Sequence, residues 1–330
     1  MTKIHTLIFL KYIINYLSEL VQIMRILLTG GAGFIGSWVA ENYLKEKHEV
    51  LIYDNLSSGT VKNIPQDAEF IEGDIRDYSM LEEAFKKFRP EVINHHAAQI
   101  NVRVSVDDPV VDAETNILGS INLLQLSVKY NISKFIFAST GGAIYGEPSI
   151  IPADELTDKQ PLSPYGTSKL CVENYLNYYN KIYNLDFTAL RYSNVYGERQ
   201  NPHGEAGVVA IFCTNILNGT GCKVFGSGEQ TRDYVHCNDV ARANVLSLNS
   251  VSGIYNIGTS ISTSVNDIVT KLKDFSGIDF KSEHLPAISG EVNHISLDNK
   301  LAGKVLGWSP LISFDNGLKK TWDWFNNNSS

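Results

Sequence analysis

Tyr165 and Lys169 lie four residues apart in the stretch SPYGTSK, whose pattern predicts the start of a helix. Side chains at this spacing share one helix face, with their Cβ atoms roughly 5 to 6 Å apart. The pKa of a free phenol is about 10, and a neighbouring ammonium lowers it because it favours the phenolate. The pair could therefore act as a base near neutral pH, although the same spacing is also common on solvated helix faces.

A glycine-rich loop near the start of the chain has the spacing of a pyrophosphate site. In TGGAGFIG, Gly30, Gly33 and Gly36 follow a strand pattern and precede a helix pattern. Such glycines permit a tight turn and let a pyrophosphate approach the backbone N–H groups of a helix N-terminus. Asp54 ends the next predicted strand about 20 residues on, where a carboxylate accepts hydrogen bonds from a ribose diol. Because that carboxylate would repel a 2′-phosphate, the pattern favours NAD over NADP.

The elements that must position these residues alternate regularly from Met24 onward. Apolar runs such as RILLTG, EVLIYD, EVINHHAA and KFIFAST are separated by helical patterns such as SWVAENYLKEK, MLEEAFKKF and TNILGSINLLQLSVKY. This alternation predicts an α/β fold, a Rossmann-type doubly wound parallel sheet with helices on both faces. After FTALRYSNVYG the alternation degrades, which predicts a smaller mixed α/β substrate domain near the carboxyl end.

These patterns predict an NAD-binding domain over 24–190, to which a segment at about 230–257 returns. The substrate-binding region then comprises 191–229 and 258–330. Residues 1–23 are apolar, but Lys11 and Glu19 interrupt them and no cleavage site follows, so a secretory signal or membrane span fits badly. We interpret 1–23 as an N-terminal extension produced by the choice of start site, with a loosely attached amphipathic helix as the alternative.

The composition is that of an ordinary globular protein, with 43% hydrophobic and 19% charged residues. A net charge of -8 argues against nucleic acid as a partner, since proteins that bind its backbone usually carry a basic stripe. The four cysteines form no C-x-x-C pair and no cluster with the eight histidines. We therefore expect reduced thiols, no metal, no membrane association and a cytoplasmic location.

Seven motifs occur in the order found in the extended short-chain dehydrogenase/reductase superfamily, which the sequence resembles from Met24 to about Trp308. They are TGGAGFIG, YDNLSSG, HHAAQ, STGGAIYG, SPYGTSK, LRYSNVYG and GEQTRDYVH. Within that superfamily the chain is most similar to the nucleotide-sugar branch, and there to the shorter UDP-glucose 4-epimerases. The resemblance implies an isomerase of galactose and carbohydrate metabolism, in which tightly held NAD transiently oxidises carbon 4 of a UDP-hexose.

The resemblance also implies individual catalytic roles. Tyr165 would be the acid/base, and Lys169 would lower its pKa and hold the nicotinamide ribose. A hydroxyl from the AST stretch would bond the sugar 4-oxygen. The family's catalytic serine or threonine position falls on Thr140 when it is counted from the preceding strand, FIF. It falls on Gly141 when it is counted back from IYG, because this chain carries one extra glycine. We choose Thr140, with Ser139 in reserve, although either hydroxyl could instead cap its own backbone.

The predicted site is larger than these catalytic residues. The cofactor-binding residues implied are Gly30, Gly33, Phe34, Ile35, Gly36, Asp54, Asn55, Ser57, Ser58, Gly59, Asp74, Ile75, Ala97, Ala98, Gln99, Asn116, Tyr165 and Lys169. The substrate-binding residues implied are Gln99, Thr140, Asn194, Val209, Val224, Phe225 and Arg232. Asn116 matches an asparagine that braces the active-site helix, while its local alternative is a helix N-cap.

Two departures bear on the substrate. Relatives usually carry a second arginine before the stretch equivalent to GEV, where this chain has Ile288 and Ser289. The loss of one charge-assisted contact is commonly worth about 1.5 to 3 kcal/mol. Ile295 lies near the position that screens the 2-substituent of the hexose, so discrimination between plain and N-acetylated sugars stays open.

Other activities of the superfamily are alternatives: a 4-epimerase of UDP-N-acetylhexosamines or uronic acids, a 4,6-dehydratase, or a decarboxylase. Dehydratases typically carry an Asp-Glu pair where this chain has Gly141, Gly142 and Ala143. A non-catalytic dinucleotide-sensing regulator is a minor alternative, because such proteins tend to lose the Tyr-x-x-x-Lys pair.

Family analogy further implies a homodimer. Its interface would be formed by two helices of each subunit, those of NILGSINLLQLSVKY and CVENYLNYYNKIY. The second carries an aromatic stripe that could equally be ordinary core. The stripe consists of Tyr175, Tyr178, Tyr179 and Tyr183.

Overall fold

The computed structural model describes residues 22–202, 207–287 and 292–328. Residues 1–21 of the predicted N-terminal extension lie outside these ranges, as does the departure at Ile288 and Ser289. Within the described ranges, no helix combines the length and the apolar character needed to cross a membrane.

The strands of the described chain belong to one large sheet and three small ones. In chain order they are β1 (Arg25–Thr29), β2 (Glu49–Asp54), β3 (Glu69–Glu72), β4 (Val92–His95), β5 (Lys134–Thr140), β6 (Asp186–Tyr192), β7 (Asn194–Tyr196), β8 (Cys222–Phe225), β9 (Thr231–Arg232), β10 (Tyr234–His236), β11 (Gly253–Ile257), β12 (Thr263–Ser264) and β13 (Ser282–Leu285).

The helices pack around these sheets. They are α1 (Phe34–Lys45), α2 (Tyr78–Phe88), α3 (Val102–Asp107), α4 (Pro109–Ala113), α5 (Gly119–Lys129), α6 (Gly141–Ile144), α7 (Pro164–Tyr183), α8 (Val208–Leu217), α9 (Cys237–Ser247), α10 (Val265–Ser276), α11 (Lys300–Leu306) and α12 (Phe314–Asn328). A 3₁₀ turn covers Val61–Asn63, and a π-helical segment, Glu114–Leu118, joins α4 to α5.

The large sheet has seven parallel strands in the order β3-β2-β1-β4-β5-β6-β11. This is the strand order of a doubly wound dinucleotide-binding sheet with one further strand beside β6. The predicted Rossmann-type α/β fold is therefore confirmed.

Side chains of the sheet alternate between two apolar cores, one on each face. Ile26 and Leu28 of β1 pack on the face covered by α1, α9 and α11, whereas Leu27 packs on the face covered by α2, α5 and α7. All three side chains are fully buried. Burial on both faces explains why the strands read as nearly continuous apolar runs.

Part of the late sequence completes the large sheet. After β6 the chain leaves it, and it returns where α9 packs against α1 and β11 pairs with β6. A third core joins α8, α10, α12 and β8 near the carboxyl end. The predicted boundaries between the two domains stay a prediction.

Candidate active site

An open cleft follows the carboxyl ends of β1, β2, β4 and β5, where open α/β sheets bind ligands. Most of the predicted cofactor-binding residues line it. They are Gly30, Gly33, Phe34, Ile35, Gly36, Asp54, Asn55, Ser57, Ser58, Asp74, Ile75, Ala97, Ala98, Tyr165 and Lys169. Ser139 lines the same cleft.

The glycine loop between β1 and α1 leaves room in the cleft for a phosphate group. Gly30 has a φ of +71°, and a Cβ there would lie 2.6 Å from the backbone nitrogen of Ala97. A Cβ at Gly36 would lie 2.1 Å from the carbonyl oxygen of Gly30. Gly33 precedes α1 without a side chain that could cap its first turn. Those first N–H groups have no helical partner and face the cleft, which suits a pyrophosphate.

Asp54 is fixed at the end of β2. Its two carboxylate oxygens accept hydrogen bonds from the backbone N–H of Ala32 at 3.0 Å and of Leu56 at 2.8 Å. Burial raises the pKa of Asp54, while these two hydrogen bonds lower it. A carboxylate in this place is compatible with a ribose diol, as predicted.

Asp74, which follows β3, lines the cleft next to Asp54. The Arg76 side chain donates to both of its carboxylate oxygens, at 3.0 and 2.7 Å, and the Asn55 amide donates at 3.0 Å. The Arg76 hydrogen bond lowers the pKa of Asp74 to about 2. Asp74 is therefore anionic and already paired within the chain.

Tyr165 and Lys169 occupy the first turns of α7, with Ser163 as N-cap. Lys169 Nζ lies 5.9 Å from the centre of the Tyr165 ring and donates to the Ala138 carbonyl oxygen at 2.9 Å. Burial lowers the pKa of Lys169 to about 8, against the raising effect of Asp112 and Glu173. The spacing thus places the pair on one helix face within the cleft.

Gln99 and Asn116 support α7 from behind the cleft lining. The Asn116 amide donates to Asp112 at 2.9 Å, and Gln99 donates to the same carboxylate at 3.2 Å. Fully buried Asp112 also accepts a hydrogen bond from Ser168 on α7. Asn116 lies within the π-helical segment and is not an N-cap.

The two candidate hydroxyls at the end of β5 have different surroundings. Ser139 donates to the buried Glu173 carboxylate at 2.6 Å. Within the described ranges, the Thr140 hydroxyl has no hydrogen-bond partner and does not cap α6. A Cβ built on Gly142 would lie 3.9 Å from Thr140 Oγ1 and 3.6 Å from Asn194 Oδ1. Thr140 and Asn194 therefore face one small space.

The other predicted substrate-binding residues are dispersed. Arg232 on β9 donates to the carbonyl oxygens of Thr231 and Asn293, at 3.0 and 3.2 Å. Phe225 is exposed at the end of β8. In contrast to the prediction, Val209 and Val224 are buried in the carboxyl-terminal core and present no surface to a ligand.

Two further predicted positions, Gly59 and Ile295, pack against other residues of the protein and do not face the cleft. A Cβ at Gly59 would lie 2.8 Å from the Ala32 backbone, so Gly59 supports the glycine loop and does not line the cleft. Ile295 is buried in a small cluster with Tyr145, Ala153 and Leu297.

His96 and Tyr192 also line the cleft, although neither was among the predicted site residues. His96 Nε2 lies 3.1 Å from the Tyr192 hydroxyl, and burial lowers the His96 pKa to about 3, so its ring is neutral. Its neighbour His95 is enclosed instead, between Thr29 Oγ1 at 2.7 Å and Ser120 Oγ at 2.9 Å. The motif HHAAQ was the available signal, but it does not say which histidine faces the cleft.

Glu198, His236 and Cys237 bring three potential metal ligands together, with their ligand atoms within 4.8 Å of one another. His236 Nδ1 accepts a hydrogen bond from the backbone N–H of Asn238 at 3.2 Å. The other ring nitrogen, Nε2, lies 3.2 Å from the Glu198 carboxylate. This orientation suits a His-Glu contact better than metal ligation, and the predicted absence of a metal stays a prediction.

Comparison with known proteins gives a consistent result. Residues 26–258 match the model of the NAD dependent epimerase/dehydratase family. The chain is 41% identical to the UDP-glucose 4-epimerase of Mycolicibacterium smegmatis over 313 residues, which cover 93% of this chain and 100% of that one.

Two crystal structures are similar over nearly the whole chain. The UDP-glucose 4-epimerase of Thermotoga maritima with UDP-glucose is 46% identical, with a TM-score of 0.91 and coverage of 93% of this chain and 100% of that one. The UDP-glucose 4-epimerase of Thermus thermophilus in complex with NAD is 43% identical, with a TM-score of 0.88 and coverage of 92% and 100%.

Proposed function

Because the chain belongs to the NAD dependent epimerase/dehydratase family, we propose that it interconverts UDP-glucose and UDP-galactose. It is an NAD-dependent 4-epimerase of sugar nucleotides, an isomerase, and its cofactor is NAD. One observation carries the assignment of the reaction to this site. Tyr165 and buried Lys169 line the cleft that begins at the glycine loop, together with Ser139, which directly precedes Thr140 on β5.

The residues of the cleft fit the cofactor part by part. The glycine loop and the N-terminus of α1 would hold the pyrophosphate, Asp54 the adenosine ribose, and Lys169 the nicotinamide ribose. Asp74 and Ile75 line the region assigned to adenine. NAD held there would supply hydride transfer, taking up the hydride of sugar carbon 4 and giving it back to the other face of that carbon.

The protein itself handles the proton of the 4-hydroxyl. The Tyr165 phenolate takes this proton and, as the neutral phenol, later returns it. The nearby Lys169 ammonium stabilises the phenolate that exists before and after these two steps. The Thr140 hydroxyl bonds the 4-oxygen. We assign this role to Thr140 because the Ser139 hydroxyl is already bonded to Glu173.

The wall beside Thr140 favours epimerisation over dehydration. A side chain at position 142 would point between Thr140 and Asn194, beside the proposed place of the sugar. This chain has Gly142 there, flanked by Gly141 and Ala143, so no carboxyl group is available at these positions to eliminate water.

Incubation of the purified protein with UDP-galactose, without added cofactor, tests the proposal. We expect UDP-glucose to form without net NADH, because the cofactor is reoxidised in every cycle. If NAD is bound and no UDP-glucose forms, the UDP-glucose assignment is wrong, and UDP-N-acetylhexosamines and UDP-uronic acids become the substrates to examine.

The quaternary structure is a separate part of the proposal. On α7, Tyr175, Tyr178, Ile182 and Tyr183 are exposed, whereas Tyr179 packs into the core. This apolar surface supports a homodimer formed through α5 and α7, for which we propose a cytoplasmic location. Sedimentation should give a dimer at micromolar concentration, and a Tyr178→Glu variant should sediment as a monomer. A wild-type monomer would contradict the dimer.

A further inference from the structure

A buried ion pair lies directly beneath the candidate active site. Arg191 on β6 and Glu173 on α7 are joined by two hydrogen bonds, Nε to Oε1 at 2.9 Å and Nη2 to Oε2 at 2.6 Å. Both side chains are only 2% exposed. Burial of two charges carries a large desolvation penalty, so such a pair is weak evidence for stability by itself. Its contacts indicate another role.

The ion pair connects three elements that carry the site. Glu173 Oε1 also accepts the Ser139 hydroxyl of β5 at 2.6 Å. The third arm of Arg191 donates to the Tyr145 hydroxyl at 2.8 Å, and Tyr145 in turn donates to Asn256 at 2.8 Å. All three nitrogens of the Arg191 guanidinium and both carboxylate oxygens of Glu173 are thus hydrogen-bonded, which restrains the arrangement.

The same helix face carries the catalytic pair. Tyr165, Lys169 and Glu173 follow one another at intervals of four residues along α7. Two of these residues contact consecutive positions at the end of β5: Lys169 donates to the Ala138 carbonyl oxygen, and Glu173 accepts the Ser139 hydroxyl. Thr140 is the next residue of that strand. Its place relative to α7 is therefore set by these two hydrogen bonds.

We infer that the Glu173–Arg191 pair is the positioning device that fixes the Thr140 hydroxyl relative to Tyr165 and Lys169. The inference rests on the proposed function, since it concerns the geometry of that same reaction. Glu173 and Arg191 touch neither substrate nor cofactor in this scheme, so they are positioning residues and not catalytic ones.

The pair also bears on the charge of Lys169. The charged and titratable groups around it are Asp112 from α4, Tyr165 and Glu173 from α7, and His95 and His96 from β4 and the loop after it. Burial keeps both histidines neutral by lowering their pKa values. Asp112 and Glu173 raise the pKa of Lys169 against the effect of its own burial. Loss of the Glu173 charge should therefore move that pKa below about 8.

Two variants test the inference. Glu173→Gln removes one charge and leaves Arg191 as an uncompensated buried cation, which can unfold the protein. The double variant Glu173→Met/Arg191→Met replaces both partners by apolar side chains, so it keeps the fold testable. For either folded variant we expect kcat with UDP-galactose to fall about 10- to 100-fold, because a misplacement near 1 Å has that effect. KM and the NAD content should stay within about threefold.

The pH profile separates positioning from mere stability. The Lys169 ammonium is present below its pKa and lost above it, so wild-type kcat should decline as the pH rises through about 8. In both variants this decline should begin at lower pH. If the double variant regains wild-type kcat and pH profile, the inference is wrong and the pair only supports the fold.

The same two strands provide a matched control. Lys134 and Asp186 are paired in register at the amino ends of β5 and β6, with Lys134 Nζ 3.2 Å from Asp186. Asp186→Asn loosens that distant end, so we expect lower thermal stability with unchanged kcat and pH profile. A fall in kcat equal to that of the Glu173 variants would contradict a specific positioning role.

A measurement that does not depend on catalysis tests the positioning role of Glu173 and Arg191 independently of the proposed function. Competitive labelling of lysines by acetic anhydride, followed by mass spectrometry across pH, reports the protonation of Lys169 in the NAD-bound protein. Should wild type fail to convert UDP-galactose, the proposed function fails alone. The inference fails if the midpoint of Lys169 labelling does not move to lower pH in Glu173→Gln or in the double variant.

Discussion

At the scale of single residues, Lys169 shows what spacing predicts and what it leaves open. The interval from Tyr165 was sufficient to place both side chains on one face. It gave no information on the Ala138 carbonyl or on the burial that lowers the lysine pKa, because both depend on how β5 meets α7. The choice between Ser139 and Thr140 likewise depended on a partner, Glu173, that is distant in sequence.

Tyr165→Phe removes the group proposed to carry the proton and leaves the ring in place. We expect kcat to fall by a factor of about 10² to 10⁴, the usual contribution of a positioned acid/base. NAD content, measured after denaturation of the purified protein, should be unchanged. Wild-type turnover in this variant would remove Tyr165 from the mechanism.

Thr140→Val keeps the shape of the side chain but removes its hydroxyl. Because this hydroxyl is proposed to bond the 4-oxygen where charge develops, kcat should fall about 10²-fold. Thr140→Ser retains the hydroxyl and should recover most of that loss. Equal activity of the valine and serine variants would show that Thr140 Oγ1 has no part in the reaction.

At the scale of elements, most strands and helices of the large sheet were predictable, whereas the direction in which side chains outside that sheet point was not. Strand β3 was missed because its four residues, EFIE, are only partly buried and give a weak apolar signal. In β8 the residues alternate, so that Cys222 and Val224 are buried while Lys223 and Phe225 are exposed. A motif match to KVF could not tell which of these side chains faces a ligand.

The turn between β1 and α1 leads to a prediction about the glycine loop. In Gly36→Ala, the new methyl group meets the Gly30 carbonyl oxygen, so the loop must shift. Overpacking of this kind typically destabilises a protein by about 1 to 3 kcal/mol, and the shifted loop should also retain less NAD. Urea unfolding and the absorbance of released NAD would measure both effects.

Gly303→Ala is the matched control for that variant. Gly303 lies in α11, where a Cβ would find only the Trp308 carbonyl oxygen at an ordinary 3.5 Å. Alanine favours a helix over glycine by up to about 1 kcal/mol, so stability should stay equal or rise slightly. If Gly36→Ala behaves like this control, close packing of the loop is not important for cofactor binding.

At the scale of the whole molecule, the cleft lies along the carboxyl ends of the strands of the large sheet. Cofactor-lining residues come from the loops after β1, β2, β3 and β4, from the end of β5 and from α7, whereas Asn194 and Arg232 belong to the small sheets. The fold of the large sheet and its cofactor were predictable because glycine spacing and strand alternation are local. The substrate side was less predictable because it depends on how separate segments pack.

Binding of NAD should therefore stabilise the protein as a whole. A ligand that binds only the folded state adds about 2.7 kcal/mol at a free concentration of one hundred times its Kd. Protein stripped of NAD should melt at a lower temperature in a thermal scan, and added NAD should restore it. NADP should restore much less, because its 2′-phosphate would meet Asp54. Equal effects of the two nucleotides would contradict that role of Asp54.

The Lys134–Asp186 ion pair joins β5 and β6 near their amino ends, and near their carboxyl ends Glu173 of α7 contacts both Ser139 of β5 and Arg191 of β6. In terms of hydrogen exchange, strands anchored in this way belong to the last unit of a protein to open. The surrounding cofactor loops can open with lower free energy, since several of their residues, such as Ser57 and Ser58, are exposed. Nucleotides can thus enter and leave while the strand end that carries Thr140 stays folded, so each new molecule meets a reaction centre that is already assembled.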